Sequence, residues 1–156
     1  MLVVKKAEVL FSFLDAWQKV NTDPVCFGAR DETYGAFSIT KIGRVKTMKL
    51  VHISGSIQCN TDNGDSYWSC AHSVYANKLT TFITNIKREA LLPPAEDLEA
   101  LANLDVKEHM YSLDGNGDKS PELVFQPLSF SRNQELQIWY GQDWANFTEA
   151  NNSGET

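Results

Sequence analysis

A chain of 156 residues with 42% hydrophobic and 22% charged residues has the size and composition of one globular core. Its net charge of −6 and isoelectric point near 5.0 argue against a nucleic-acid partner, since the 14 Lys and Arg are scattered, paired only at Lys5-Lys6 and Lys87-Arg88. No apolar run approaches the roughly 18 residues of a membrane span, so no membrane span is expected.

Residues 1–20 read as a helix, because Val4, Ala7, Leu10, Phe11, Leu14 and Trp17 recur at intervals of three and four with Lys and Glu between them. Asn21-Thr22-Asp23-Pro24 ends the segment, since the residue before a proline leaves the helical region. Residues 1–22 are therefore expected as a helical extension. The segment makes a poor signal peptide: Glu8 and Asp15 interrupt its apolar stretch and no small-residue cleavage site follows.

From Val25 the texture turns to β. Short strands are expected at Ala36–Ile39, within Val45–Ile57, at Leu79–Thr84, Glu108–Leu113 and Leu123–Phe125, with turn residues between them. Glu96 to Leu104 reads as one short helix, with Leu98, Leu101 and Leu104 on one side. The last strand, Glu135 to Gly141, alternates Leu136, Ile138 and Tyr140 with Gln137 and Trp139 and runs into an acidic, aromatic loop. No apolar strand is read at Gly154-Glu155-Thr156. The pattern predicts an all-β protein, an antiparallel β-sandwich of jelly-roll-like type over residues 23–156.

The cysteine count is odd. Cys59 and Cys70 flank the turn-rich Asn60–Ser66 and fit two strand ends joined by a disulfide, leaving Cys26 without a partner. Three free thiols in a cytoplasmic protein is the alternative.

Four blocks carry a resemblance. They are Val25–Asp31 with Tyr34–Phe37; Met48–His52 with Ser54, Gly55 and Cys59; Ser66–Cys70; and Glu135–Asp143 with Thr148, Glu149, Asn152 and Gly154. Together they resemble a secreted module of cnidarian (coral and anemone) extracellular proteins of the skeletal-organic-matrix type, with its Leu-x-Ile-Trp-Tyr-Gly-x-Asp motif. The resemblance covers about residues 24–156 and implies a secreted protein but no particular activity. Members of that family continue with a further cysteine and strand. The resemblance therefore implies a partner for Cys26 and a last strand beyond this sequence.

Several constellations could carry function. Tyr140, Asp143, Trp144 and Glu149, with Trp68, could form a shallow ring-and-carboxylate surface for sugars, whose apolar C–H faces stack on aromatic rings. The plainer reading puts Trp139 and Tyr140 in the core. Asp114, Asn116 and Asp118 have the spacing of three calcium ligands, but Lys119 and Phe125 stand where an EF-hand needs Gly and Glu, and a solvated turn is the alternative. No other cofactor is indicated. His52, His72 and His109 are too dispersed for a metal triad. Asn146 and Asn151 begin glycosylation sequons. These residues predict a non-enzymatic extracellular interaction module binding glycans or matrix proteins. The alternatives are a glycan hydrolase using Asp143 and Glu149, and a calcium-stabilised structural protein.

Overall fold

In the computed structural model, residues 5–13, 16–21, 23–39, 47–60, 62, 64–99, 109–113, 115–125, 134–145 and 152–155 are described. The first sheet orders β2 (Ala16–Lys19), β1 (Lys5–Phe13), β5 (Thr47–Ser54) and β9 (Glu122–Phe125), and β3 (Val25–Phe27) also pairs with β1. A second sheet orders β4 (Gly35–Ser38), β10 (Glu135–Tyr140), β7 (Thr81–Asn85) and β8 (Ala90–Leu92). β6 (Ser56–Gln58) and β11 (Ser153–Glu155) form a two-stranded ribbon, so the C-terminal residues do supply a short strand. All pairings are antiparallel.

The expected N-terminal helix is a strand. β1 sits inside the first sheet, bonded to β5 on one side and to β2 and β3 on the other. Ala7 and Val9 are fully buried, a period of two that the apolar residues spaced by three and four concealed. Long-range pairing overrode local periodicity here, so residues 5–13 and 16–19 belong to the sheet. The expected internal helix is one 3₁₀ turn, Ala95–Asp97; Leu98 is already extended and Glu99 bridges to Met110. Residues 100–104 of that helix lie outside the described residues.

Both sheets contribute to one hydrophobic cluster. Val9, Met48, Leu50 and Leu123 come from the first, and Phe37, Ile83, Leu136 and Ile138 from the second. β10 is buried on both faces because it is central in its sheet and because Trp139, on the face away from Ile138, is covered in turn. Cys59 and Cys70 form the expected disulfide, with Cα atoms 5.4 Å apart, while Cys26 is free and exposed. After β10 the chain turns sharply into α1 (Gly141–Ala145). Only glycine fits the start of that turn, since a Cβ at Gly141 would collide with the His109 carbonyl and stand 3.1 Å from that of Thr80. Among the described residues no helix is long and apolar enough to cross a membrane.

Candidate functional site

Among the described members of the expected ring-and-carboxylate surface, Trp68, Tyr140 and Asp143 are buried. Trp68 and Tyr140 are fully buried; Trp68 Nε1 donates to Ser120 O at 2.7 Å and the Tyr140 hydroxyl to Ser69 O at 3.2 Å. Burial pushes the Tyr140 phenol well above its ordinary range. A sugar ring needs an accessible aromatic face, which neither residue offers. Asp143 is buried too, and its oxygens accept the backbone N–H groups of Glu32 at 2.8 Å and Thr33 at 3.1 Å. With both oxygens engaged in this way it anchors the 29–34 loop. Glu149, Asn146 and Asn151 lie outside the described residues.

Asp114 also lies outside them. Asn116 and Asp118 sit in a tight turn in which Gly115 has φ +75° and Gly117 N donates to Ser120 Oγ at 2.7 Å. The Asp118 carbonyl receives the N–H groups of Tyr67 and Trp68 and the Ser66 hydroxyl, so this turn packs on the disulfide loop. Among the described residues no group of three His, Cys, Asp or Glu could hold a metal ion.

Of the described members of the ring-and-carboxylate set, Trp144 alone is partly exposed, and it joins side chains that sequence reasoning passed over. Phe82 and Trp139 are register partners on β7 and β10. Trp144 meets Phe82 edge-on at 5.1 Å between centroids, and Tyr34 lies 4.8 Å from Trp139. The Arg88 guanidinium stacks on Trp139, 4.5 Å from its ring centre. Its Nη1 meets Glu32 Oε1 at 3.0 Å and its Nη2 donates to Trp144 O at 3.1 Å. Tyr34 keeps 42% of its surface exposed, and the Arg88 and Glu32 side chains are open to solvent as well.

Local backbone chemistry builds this patch. The β7–β8 hairpin closes through Asn85, whose Oδ1 accepts from Lys87 N and Glu89 N, and this puts Arg88 at φ +64°. Asp31 and Glu32 hold φ +61° and +55°. Three non-glycine residues in the left-handed region, two of them in the Arg88–Glu32 pair, store strain that the surrounding hydrogen bonds must offset. The 29–34 loop is pinned by Asp143 and by Asn152 Nδ2, which donates to Ala29 O at 2.9 Å. One usable signal for Arg88 was present in the sequence: an Asn followed by four turn-length residues between two β-prone runs.

No family model matches the chain, and no curated protein matches it. Among solved structures it is similar to AJLec from the sea anemone Anthopleura japonica, with a TM-score of 0.76 and 33% sequence identity over 89% of this chain and 91% of that one. The source agrees with the cnidarian character of the sequence motifs, and the AJLec name marks that protein as a lectin. At this identity and coverage the chain belongs to the family of AJLec.

Proposed function

We propose that this protein is a non-enzymatic, secreted glycan-binding module, and that a sugar ring lies on the exposed face of Tyr34 beside Arg88 and Glu32. The observation that carries the reading is an open Tyr34 ring packed on the same indole, Trp139, as the guanidinium of the Arg88–Glu32 pair. A pyranose presents an apolar C–H face and a rim of hydroxyls. The Tyr34 ring suits the first, while guanidinium N–H donors and carboxylate acceptors suit the second. The charges of Arg88 and Glu32 cancel, which favours a neutral over an anionic glycan. Membership of the AJLec family supports the same reading, and the Cys59–Cys70 disulfide fits an oxidising, extracellular setting.

Glycan-array binding followed by titration calorimetry tests it. Tyr34→Ala should weaken binding about fivefold to tenfold while the far-ultraviolet circular dichroism stays unchanged, the size of one lost ring contact. Unchanged affinity in Tyr34→Ala and Arg88→Ala together would remove the patch from consideration.

A further inference from the structure

A second concave feature shares no residue with the Tyr34 patch. Leu92, Leu113 and Phe125 floor a cleft of about 520 Å³, and Pro93-Pro94 forms one wall. Leu92 and Phe125 are buried members of the core, and the partly exposed Leu113 and Pro94 give the slot its accessible apolar surface.

The rim is acidic. Glu96 and Asp97 stand exposed on the 3₁₀ turn, held there by Asp97 N donating to Pro94 O at 2.9 Å. Glu99 follows on the bridge to Met110, and its carboxylate meets Lys78 Nζ at 2.5 Å; that ammonium also donates to Ser112 Oγ at 3.0 Å. Lys78 therefore neutralises one of three carboxylates. Glu96 and Asp97 make no ion pair among the described residues, and they place two carboxylates at the mouth of an apolar slot.

We propose that this cleft docks a basic segment of a partner protein, with an aliphatic side chain against Leu113 and Pro94 and flanking Lys or Arg side chains against Glu96 and Asp97. Lys and Arg suit such a slot because their methylene stems cover apolar surface while their charged heads reach the rim. Charge complementarity selects a cationic occupant, and the net charge of −6 draws it in over a longer range. The volume lies within the ~300–1,000 Å³ of preformed ligand sites and holds two or three side chains.

Fluorescence anisotropy on the full chain tests this with two labelled hexapeptides, one alternating lysine with leucine and one alternating lysine with glycine. The leucine peptide should bind about tenfold tighter, the order expected for one buried aliphatic side chain. Glu96→Gln with Asp97→Asn should weaken that binding about tenfold, whereas Asp62→Asn with Glu135→Gln, outside the cleft, should leave it unchanged. Equal binding of the two peptides, or an equal loss in both charge variants, would reduce the interaction to diffuse attraction and overturn the proposal. Tyr34→Ala should not alter peptide binding, so loss of the glycan reading leaves this test intact.

Discussion

Arg88 and Trp144 hold each other by their backbones: the Arg88 guanidinium donates to the Trp144 carbonyl, and the Trp144 indole N–H donates to the Arg88 carbonyl, each at 3.1 Å. Because the same guanidinium stacks on Trp139 and meets Glu32, one planar group joins the β7–β8 hairpin, β10, α1 and the 29–34 loop. A lysine cannot do this, since its ammonium is a point charge without a fork or a flat face. Arg88→Lys should therefore lower stability by about 1 kcal/mol, modest because the site is solvent-exposed. Urea unfolding followed by tryptophan fluorescence reads the loss, and glycan affinity should fall with it.

Asp143→Asn keeps the shape of the anchor and removes its charge. The amide can accept one of the two N–H bonds now made to Glu32 and Thr33, while its NH₂ faces the other donor. The expected cost is about 2 kcal/mol, typical of hydrogen bonds to a buried charged acceptor. Hydrogen exchange separates this from a general loss of packing: the Glu32 and Thr33 amides should lose protection more than those of β10.

Alkaline stability should turn on the interior tyrosines. Burial raises the phenols of Tyr111 and Tyr140 well above the ordinary value near 10, and it raises Tyr75 too, against a hydrogen bond from Gln142 that lowers it. In the unfolded chain these groups lose their protons near pH 10, while the folded state retains them. The stabilisation is thus complete below about pH 10 and is lost as pH rises toward the folded values, by about 1.4 kcal/mol per pH unit for each tyrosine. Absorbance of tyrosinate near 295 nm should rise in one step with unfolding for these three, and Tyr140→Phe should move the unfolding midpoint to higher pH.

Removal of the disulfide by Cys59→Ala with Cys70→Ala should cost about 3 kcal/mol, the loop-closure value for so short a ring. The two cysteines are eleven residues apart and enclose Trp68, whose indole is tied to Ser120. Guanidinium titration measures the loss. Equal stability with and without a reducing agent would show that the Trp68 packing holds this loop unaided.

Residue type and spacing made some of this legible and not the rest. The Cys59–Cys70 pair could be read because a run of turn residues, Asn60–Ser66, lies between its halves, and β10 because its alternation survives on both faces. Residues 5–13 were misread because Ala7, Leu10 and Phe11 satisfy a helical spacing, whereas their partners on β5 lie far along the chain. Aromatic and acidic residues after β10 suggested a sugar platform. Tyr140, Asp143 and Trp68, however, satisfy their polar atoms internally, and no spacing rule distinguishes an inward ring from an outward one. The open ring, Tyr34, lies in a loop that Asp143 pins from the other end of the sequence.

Phe37 pairs with Leu136, 99 residues further along the chain, and β10 is the only strand that joins β4 to β7 among the described residues. On the ribosome the second sheet therefore cannot close until residue 140 has left the exit tunnel. At about 5–20 residues per second, β4 waits roughly 5–20 s with its apolar face uncovered. Closure of the second sheet is thus gated by the synthesis of β10, and β4 lacks that partner until then.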